Sequence, residues 1–238
     1  MLVVPIDLIC LDADDTLWHN MRFFNAAQEA FGDIVAPFVE AGVARETLEA
    51  CEVRNLALYG YGAKSFTLSM IETAVELGGD DLPASVIRDI LAAGRALLAH
   101  PVELFDGIGD TLAALADRAR VILVTKGDLL HQEGKLAASG LGAHFAGVEI
   151  VSEKHVGVFE RLFAKYRVDP SRALMAGDSM RSDVLPALAA GAWGVFVPQE
   201  GGWVHERGDA PTHEPRYRQI ASLAELPALV DMIAAGTR

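Results

Sequence analysis

Residues 8 to 18 read Leu8-Ile9-Cys10-Leu11-Asp12-Ala13-Asp14-Asp15-Thr16-Leu17-Trp18. Four apolar residues run directly into three carboxylates and a threonine. The length of the run and its flanks predict a buried strand rather than a helix. A buried strand cannot carry unpaired charge in its interior, because desolvating an isolated carboxylate is very costly. The acids must therefore stand where the strand ends and meets water, a cation or a ligand. In an open parallel sheet that place is the carboxyl edge. Asp12 and Asp14 are two residues apart, so extended backbone points their side chains in different directions. One side chain and a neighbouring carbonyl can still converge on a hard cation. Taken alone, the stretch also reads as an acidic loop that closes a strand and caps the next helix through Asp15 or Thr16.

The chain around it has 238 residues, enough for one large domain or two modest ones, and 51% of them are hydrophobic. A net charge of -13 argues against a general nucleic-acid binder or a binder of anionic membranes, both of which need basic surface. A small anionic substrate stays possible, because a metal and a few local cations set the field inside a cleft. The two cysteines, Cys10 and Cys51, read as small apolar packing, too few for a disulfide framework or a zinc site. The first eleven residues are short and broken by Pro5 and Asp7, which predicts neither a signal peptide nor a membrane span. A cytoplasmic protein is expected.

From Phe23 to about His100 the pattern is helical. Phe23, Phe24, Ala27, Ala30 and Phe31 share one face, with Gly32 closing the segment. Further helices are expected over 34–41, 45–58, 66–77 and 84–99, with breaks at Gly42, Gly60-Tyr61-Gly62, Gly78-Gly79-Asp80 and Pro83. After Pro101 the character changes. Strands at 121–124, 148–151, 173–176 and 193–197 alternate with helices at 108–115, 129–139, 156–166, 180–190 and 223–234. Pro186 falls inside one of these helices and would kink it. The alternation predicts an α/β fold with a parallel, Rossmann-like sheet, helices on both faces and right-handed crossovers. The expected organisation is a catalytic core of residues 1–17 and 101–238 with an all-helical domain inserted over 18–100. Residues 199–218, rich in Gly and Pro, read as a long irregular loop.

Three further strand ends carry polar groups: Thr125-Lys126-Gly127, Lys154, and Gly177-Asp178-Ser179 with Asp183 beyond. In one parallel sheet all of them share an edge with Asp12 and Asp14. Carboxylates for a hard cation, a hydroxyl and backbone N–H groups for an anion, and a lysine are what phosphoryl transfer requires.

In this order (Asp12-x-Asp14-x-Thr16, an apolar run ending in Thr125, Lys154, then Gly177-Asp178-x-x-x-x-Asp183) the chain resembles the haloacid dehalogenase superfamily, in its magnesium-dependent phosphatase branch. The resemblance covers nearly the whole chain, and the inserted helices resemble that family's cap. It implies the following roles. Asp12 is the nucleophile that forms an aspartyl-phosphate, and Asp14 is the general acid and base. Asp12, the Asp14 carbonyl and Asp178 hold Mg2+, with Asp183 fixing Lys154 and metal-bound water. Thr125 and the N–H of Lys126 bind phosphate oxygens, and Lys154 compensates charge. Family dehalogenases lack the second acid because halide needs no proton, so Asp14 favours phosphate esters. Lys126, Ala13 and His155 depart from the residues common at their positions. Lys126 is expected to reach the substrate with its side chain.

Other residues carry plainer expectations. Lys135 and Lys165 lie on helix faces and are read as solvated. Asp128 is a helix N-cap candidate. Asp15 is a turn residue, and Trp18 and Phe24 pack near the mouth of the site. In the insert, Tyr61 and Lys64, with Tyr59, flank a glycine turn that reads equally as a substrate-recognition loop and as an ordinary interhelical turn. The histidines show no metal-ligand spacing, and Trp203 is a possible homo-oligomer contact. The leading expectation is a Mg2+-dependent phosphatase for a small phosphorylated metabolite. A phosphomutase, a phospho-acceptor switch and a non-catalytic protein of the same fold are the alternatives.

Overall fold

A computed structural model describes residues 5–199 and 201–236. Among these, six strands form one parallel sheet: β1 (Leu8–Leu11), β2 (Arg120–Lys126), β3 (Gly147–Val151), β4 (Ala173–Gly177), β5 (Trp193–Phe196) and β6 (Tyr217–Gln219). Their spatial order is β3-β2-β1-β4-β5-β6. The chain therefore leaves β1 in one direction for β2 and returns on its other side for β4. This reversal opens a crevice at the carboxyl ends of the strands. Leu11, the last residue of β1, is level with Leu123 on one side and Ala176 on the other.

Alternation along the strands divides the core. Ile9, Leu11, Val121, Leu123, Leu174 and Ala176 face α5 (Ile108–Ala116) and α9 (Leu226–Ala234). Leu8, Cys10, Ile122, Val124, Ala173 and Met175 face α7 (Val156–Tyr166) and α8 (Leu185–Ala189). Both faces of the sheet are covered, so its strands read as continuous apolar runs rather than alternating ones. Phe159 and Phe163 on α7 are almost wholly buried, each worth roughly 2–3 kcal/mol of transfer free energy. The remaining helix, α6 (Leu129–Ser139), follows β2.

The chain divides into two compact units. One comprises Met1–His19, Val102–Lys126 and Glu133–Arg238, and holds the sheet. The other comprises Asn20–Pro101 and Gly127–Gln132. It contains α1 (Met21–Val35), α2 (Ala41–Tyr59), α3 (Ala63–Gly78) and α4 (Ala84–Leu98) around its own core, which includes Phe31, Leu48, Met70 and Ile90. Gly94 lets α3 and α4 approach closely, since a methyl group there would overlap Thr67.

Several sequence expectations are corrected. Gly32 does not end α1, because Ala27, Phe31 and Val35 bury one continuous stripe through it. No helix runs over 34–41; the chain turns after Val35 and α2 begins at Ala41. The expected helix over 180–190 is two elements, a π-helical turn at Met180–Val184 followed by α8. Pro186 sits in the first turn of α8, where its missing N–H costs nothing, so it kinks no helix. The long loop ends in β6, a three-residue edge strand too short to show periodicity. Among the described residues no helix is long and apolar enough to cross a membrane.

Candidate active site

Asp12 is held at the tip of β1, where its backbone N–H donates to the Ala176 carbonyl at 3.0 Å. Beyond it the chain folds into a tight turn. The N–H groups of Thr16 and Leu17 both donate to the Ala13 carbonyl, and Asp15 adopts the left-handed conformation with φ 56°. Trp18 then pairs with Leu104, the Phe105 N–H donates to the Leu17 carbonyl, and the His19 N–H donates to the Glu103 carbonyl. The turn is thereby fastened where the first segment of the sheet unit ends and its second begins.

Lys154 lies just before α7 and reaches back to the sheet edge. Its ammonium is buried, bonded to Asp12 Oδ1 and, at 2.6 Å, to Asp183 Oδ1. Burial works against its charge, but the Asp12 and Asp183 carboxylates outweigh burial and raise its pKa. Asp183 is completely buried, and its Oδ2 accepts from the Ser179 N–H at 3.1 Å. The π-helical turn supplies that geometry: Ser179 caps it by accepting from the Ser182 N–H, and the Asp183 and Val184 N–H groups both return to the Ser179 carbonyl. Wide turns of this kind recur at functional sites.

One carboxylate oxygen each from Asp12, Asp178 and Asp183 lies within 4.8 Å of the others. With all three acids ionised, the group and Lys154 would carry a formal charge of -2. Burial, then the neighbouring acids Asp183 and Asp14, push Asp12 up to about 7 against the pull of Lys154. Burial and the charges of Asp12, Asp183 and Asp15 raise Asp178 well above the carboxylate range. A hard divalent cation fits this donor set in charge and ligand type. Gly177 makes room for two of these side chains, because a Cβ there would lie 2.2 Å from Asp183 Oδ2 and 2.9 Å from the Asp12 Cβ.

The Asp14 carboxylate is not part of that triplet. Its Oδ1 accepts from the Lys135 ammonium at 2.5 Å and from the Trp18 indole N–H at 2.7 Å. The expectation that Lys135 is solvated is corrected, since it is only 5% exposed. Gln132, three residues before it on α6, is buried as well, a placement that only the packing shows. Lys165 conforms to its reading, being largely exposed beside Glu149.

Thr125 is buried near the end of β2, and Lys126 follows it. The Lys126 ammonium, expected to reach substrate, bonds to Ser182 Oγ at 2.7 Å and to Glu206 Oε1 at 2.6 Å. Glu206 also accepts from the hydroxyls of Ser179 and, at 2.5 Å, Ser182. Burial would raise its pKa, but Lys126 and the two serines hold it down at about 2. Sequence reasoning missed Glu206, which lies in a loop without periodicity, 80 residues from Lys126.

Tyr61 and Lys64 belong to the helical unit. Tyr61 sits in the turn between α2 and α3, and Lys64, in the first turn of α3, pairs with Asp128 at 2.9 Å. Asp128 also accepts from the His131 N–H, the N-cap expected of it. Tyr59 donates to Glu72 at 2.7 Å.

A parallel sheet with this strand order, an aspartate at the tip of its first strand and a buried lysine bridging two acids point to one class of hydrolase. The family of haloacid dehalogenase-like hydrolases matches residues 6–191, and the chain belongs to that family. It is similar to a haloacid dehalogenase-like family hydrolase from Xanthomonas campestris, with 39% identity, a TM-score of 0.87, and coverage of 97% of this chain and 93% of that one. Over 137 residues it is 27% identical to the N-acylneuraminate-9-phosphatase of Mus musculus, covering 55% of this chain and 53% of that protein. The Homo sapiens enzyme of the same name is 26% identical over 138 residues. The chain thus spans about half the length of these curated relatives. An L-2-haloacid dehalogenase from Xanthobacter autotrophicus shares the fold, with a TM-score of 0.64 and 17% identity over 95% of this chain and 98% of that one.

Proposed function

We propose that this hydrolase is a Mg2+-dependent phosphomonoesterase acting on a small phosphorylated metabolite through an aspartyl-phosphate at Asp12. The observation that carries the reading is the buried cluster of Asp12, Asp178, Asp183 and Lys154, with a second acid, Asp14, in the same strand-end turn. The phosphatases among its relatives support the ester class. Asp12, Asp178, Asp183 and the Asp14 carbonyl would hold Mg2+, which when bound supplies positive charge to the phosphate oxygens.

The chain's own residues do the rest. The carboxylate of Asp12 attacks phosphorus in line, a new O–P bond forms, and the ester O–P bond breaks. Asp14 gives its proton to the departing oxygen. It then takes a proton from water as that water attacks the aspartyl-phosphate, so that phosphate leaves and Asp12 is restored. Lys154 balances charge on Asp12 throughout. The hydroxyl of Thr125 and the N–H of Lys126 bind phosphate oxygens. Phosphate release from p-nitrophenyl phosphate should need Mg2+, stop with EDTA, and fall by at least about a thousandfold in Asp12→Asn with the fold retained. Substantial turnover by Asp12→Asn would remove the nucleophile assignment.

A further inference from the structure

Asp14 has to hand over a proton at one step and recover one at the next, which requires its carboxyl group to stay in one orientation. Two buried donors meet on a single oxygen of it. Lys135, 121 residues further along and 5% exposed, donates to Oδ1 at 2.5 Å. Trp18, 1% exposed, donates its indole N–H to the same Oδ1 at 2.7 Å. An indole nitrogen can only donate, so this contact is directional. A buried ammonium on α6 costs more than an apolar residue would unless its partner repays the desolvation. The backbone fixes the same unit: Asp14 and Trp18 form a bridge, and the Asp15 N–H donates to the Trp18 carbonyl at 2.8 Å.

We propose that Lys135 and Trp18 are positioning residues for proton transfer at Asp14. They turn Oδ2 toward the leaving oxygen, and Lys135 balances the carboxylate that appears when the proton departs. This rests on the acid–base reading of Asp14 given above. In the first half-reaction the ester O–P bond breaks as the proton moves from Asp14 to the leaving oxygen. The carboxylate left behind then faces the Lys135 ammonium. A leaving group stable as an anion needs that proton little, and a basic one needs it greatly.

The test compares p-nitrophenyl phosphate with phenyl phosphate, esters of similar size whose leaving groups differ in basicity. First-turnover rates are measured with Mg2+ by rapid quench in the unmodified enzyme, Lys135→Met and Trp18→Phe. In Lys135→Met the ratio of p-nitrophenyl to phenyl rates should rise about tenfold or more, and in Trp18→Phe about threefold, with KM within threefold. Trp18→Phe keeps an aromatic ring in the core, so it carries the test if Lys135→Met does not fold. A ratio unchanged in the folded variants, whatever the overall loss of rate, overturns the inference and leaves the proposed function standing. If the unmodified enzyme cleaves neither ester, the proposed function falls and this inference falls with it.

Discussion

Gly177 has no room for a methyl group. A Cβ at this position would meet Asp183 Oδ2 at 2.2 Å and Asp183 Cγ at 2.5 Å, both belonging to a side chain that is itself completely buried. Gly177→Ala must therefore displace Asp183, and with it Lys154, at the proposed cation site. We expect the variant to fold, to lose phosphate release by at least about a hundredfold, and to bind Mg2+ at least tenfold more weakly in calorimetry. Wild-type Mg2+ affinity in Gly177→Ala would show that the acids do not hold the ion. Asp12, Thr125, Lys154 and Asp178 stood out in the sequence because each stands at or just past the end of an apolar run, and Asp183 because of its spacing from Asp178. Lys135 did not, because a lysine on a helix is ordinarily solvated and only packing shows which face is turned inward.

At the scale of elements, the stretch that read as an irregular loop fastens itself to the sheet edge through Glu206. The carboxylate accepts from Lys126, Ser179 and Ser182, so it joins the end of β2 to the π-helical turn. Its folded pKa, about 2, lies below the ordinary 4.5. A depressed carboxylate contributes stability above its unfolded pKa and loses it as pH falls through the folded value. The window is therefore pH 4.5 down to about 2, with a total of roughly 2–3 kcal/mol once solvent screening is allowed for. Glu206→Ala should lower Tm at pH 7 by about 4–12 °C and flatten the acid limb of the Tm profile. Unchanged Tm across that range would mean that the latch contributes nothing. The sequence showed a helix over 180–190 but not its π-helical first turn, because a π turn and an α turn share the same apolar pattern over so few residues.

For the whole molecule, the proposed cation site would trade stability for chemistry. Three acids share one lysine, and burial with mutual repulsion raises Asp178 well above the carboxylate range. At neutral pH the ionised forms of Asp12 and Asp178 therefore work against the metal-free fold. Asp178→Asn should raise Tm in EDTA and abolish the rise that Mg2+ produces in the unmodified protein. That rise corresponds to about 2.7 kcal/mol at a hundredfold excess of Mg2+ over its Kd. Differential scanning with and without Mg2+ reads both effects, and a lower Tm for Asp178→Asn in EDTA would contradict the electrostatic account. Such a cost is bearable only on a well-buried scaffold, which the two faces of the sheet provide.

The sequence by itself determined the alternation of strands and helices, the helical insertion after β1, and the strand-end acids. These are local signals: periodicity, turn residues, and the exclusion of charge from buried strands. Only the tertiary structure decided which polar groups meet. It joined Lys135 to Asp14 and Glu206 to Lys126. Each pair is separated by tens of residues, and its partner is chosen by strand order and by which helix face turns inward. Those depend on the packing of the whole sheet, and no local pattern records them.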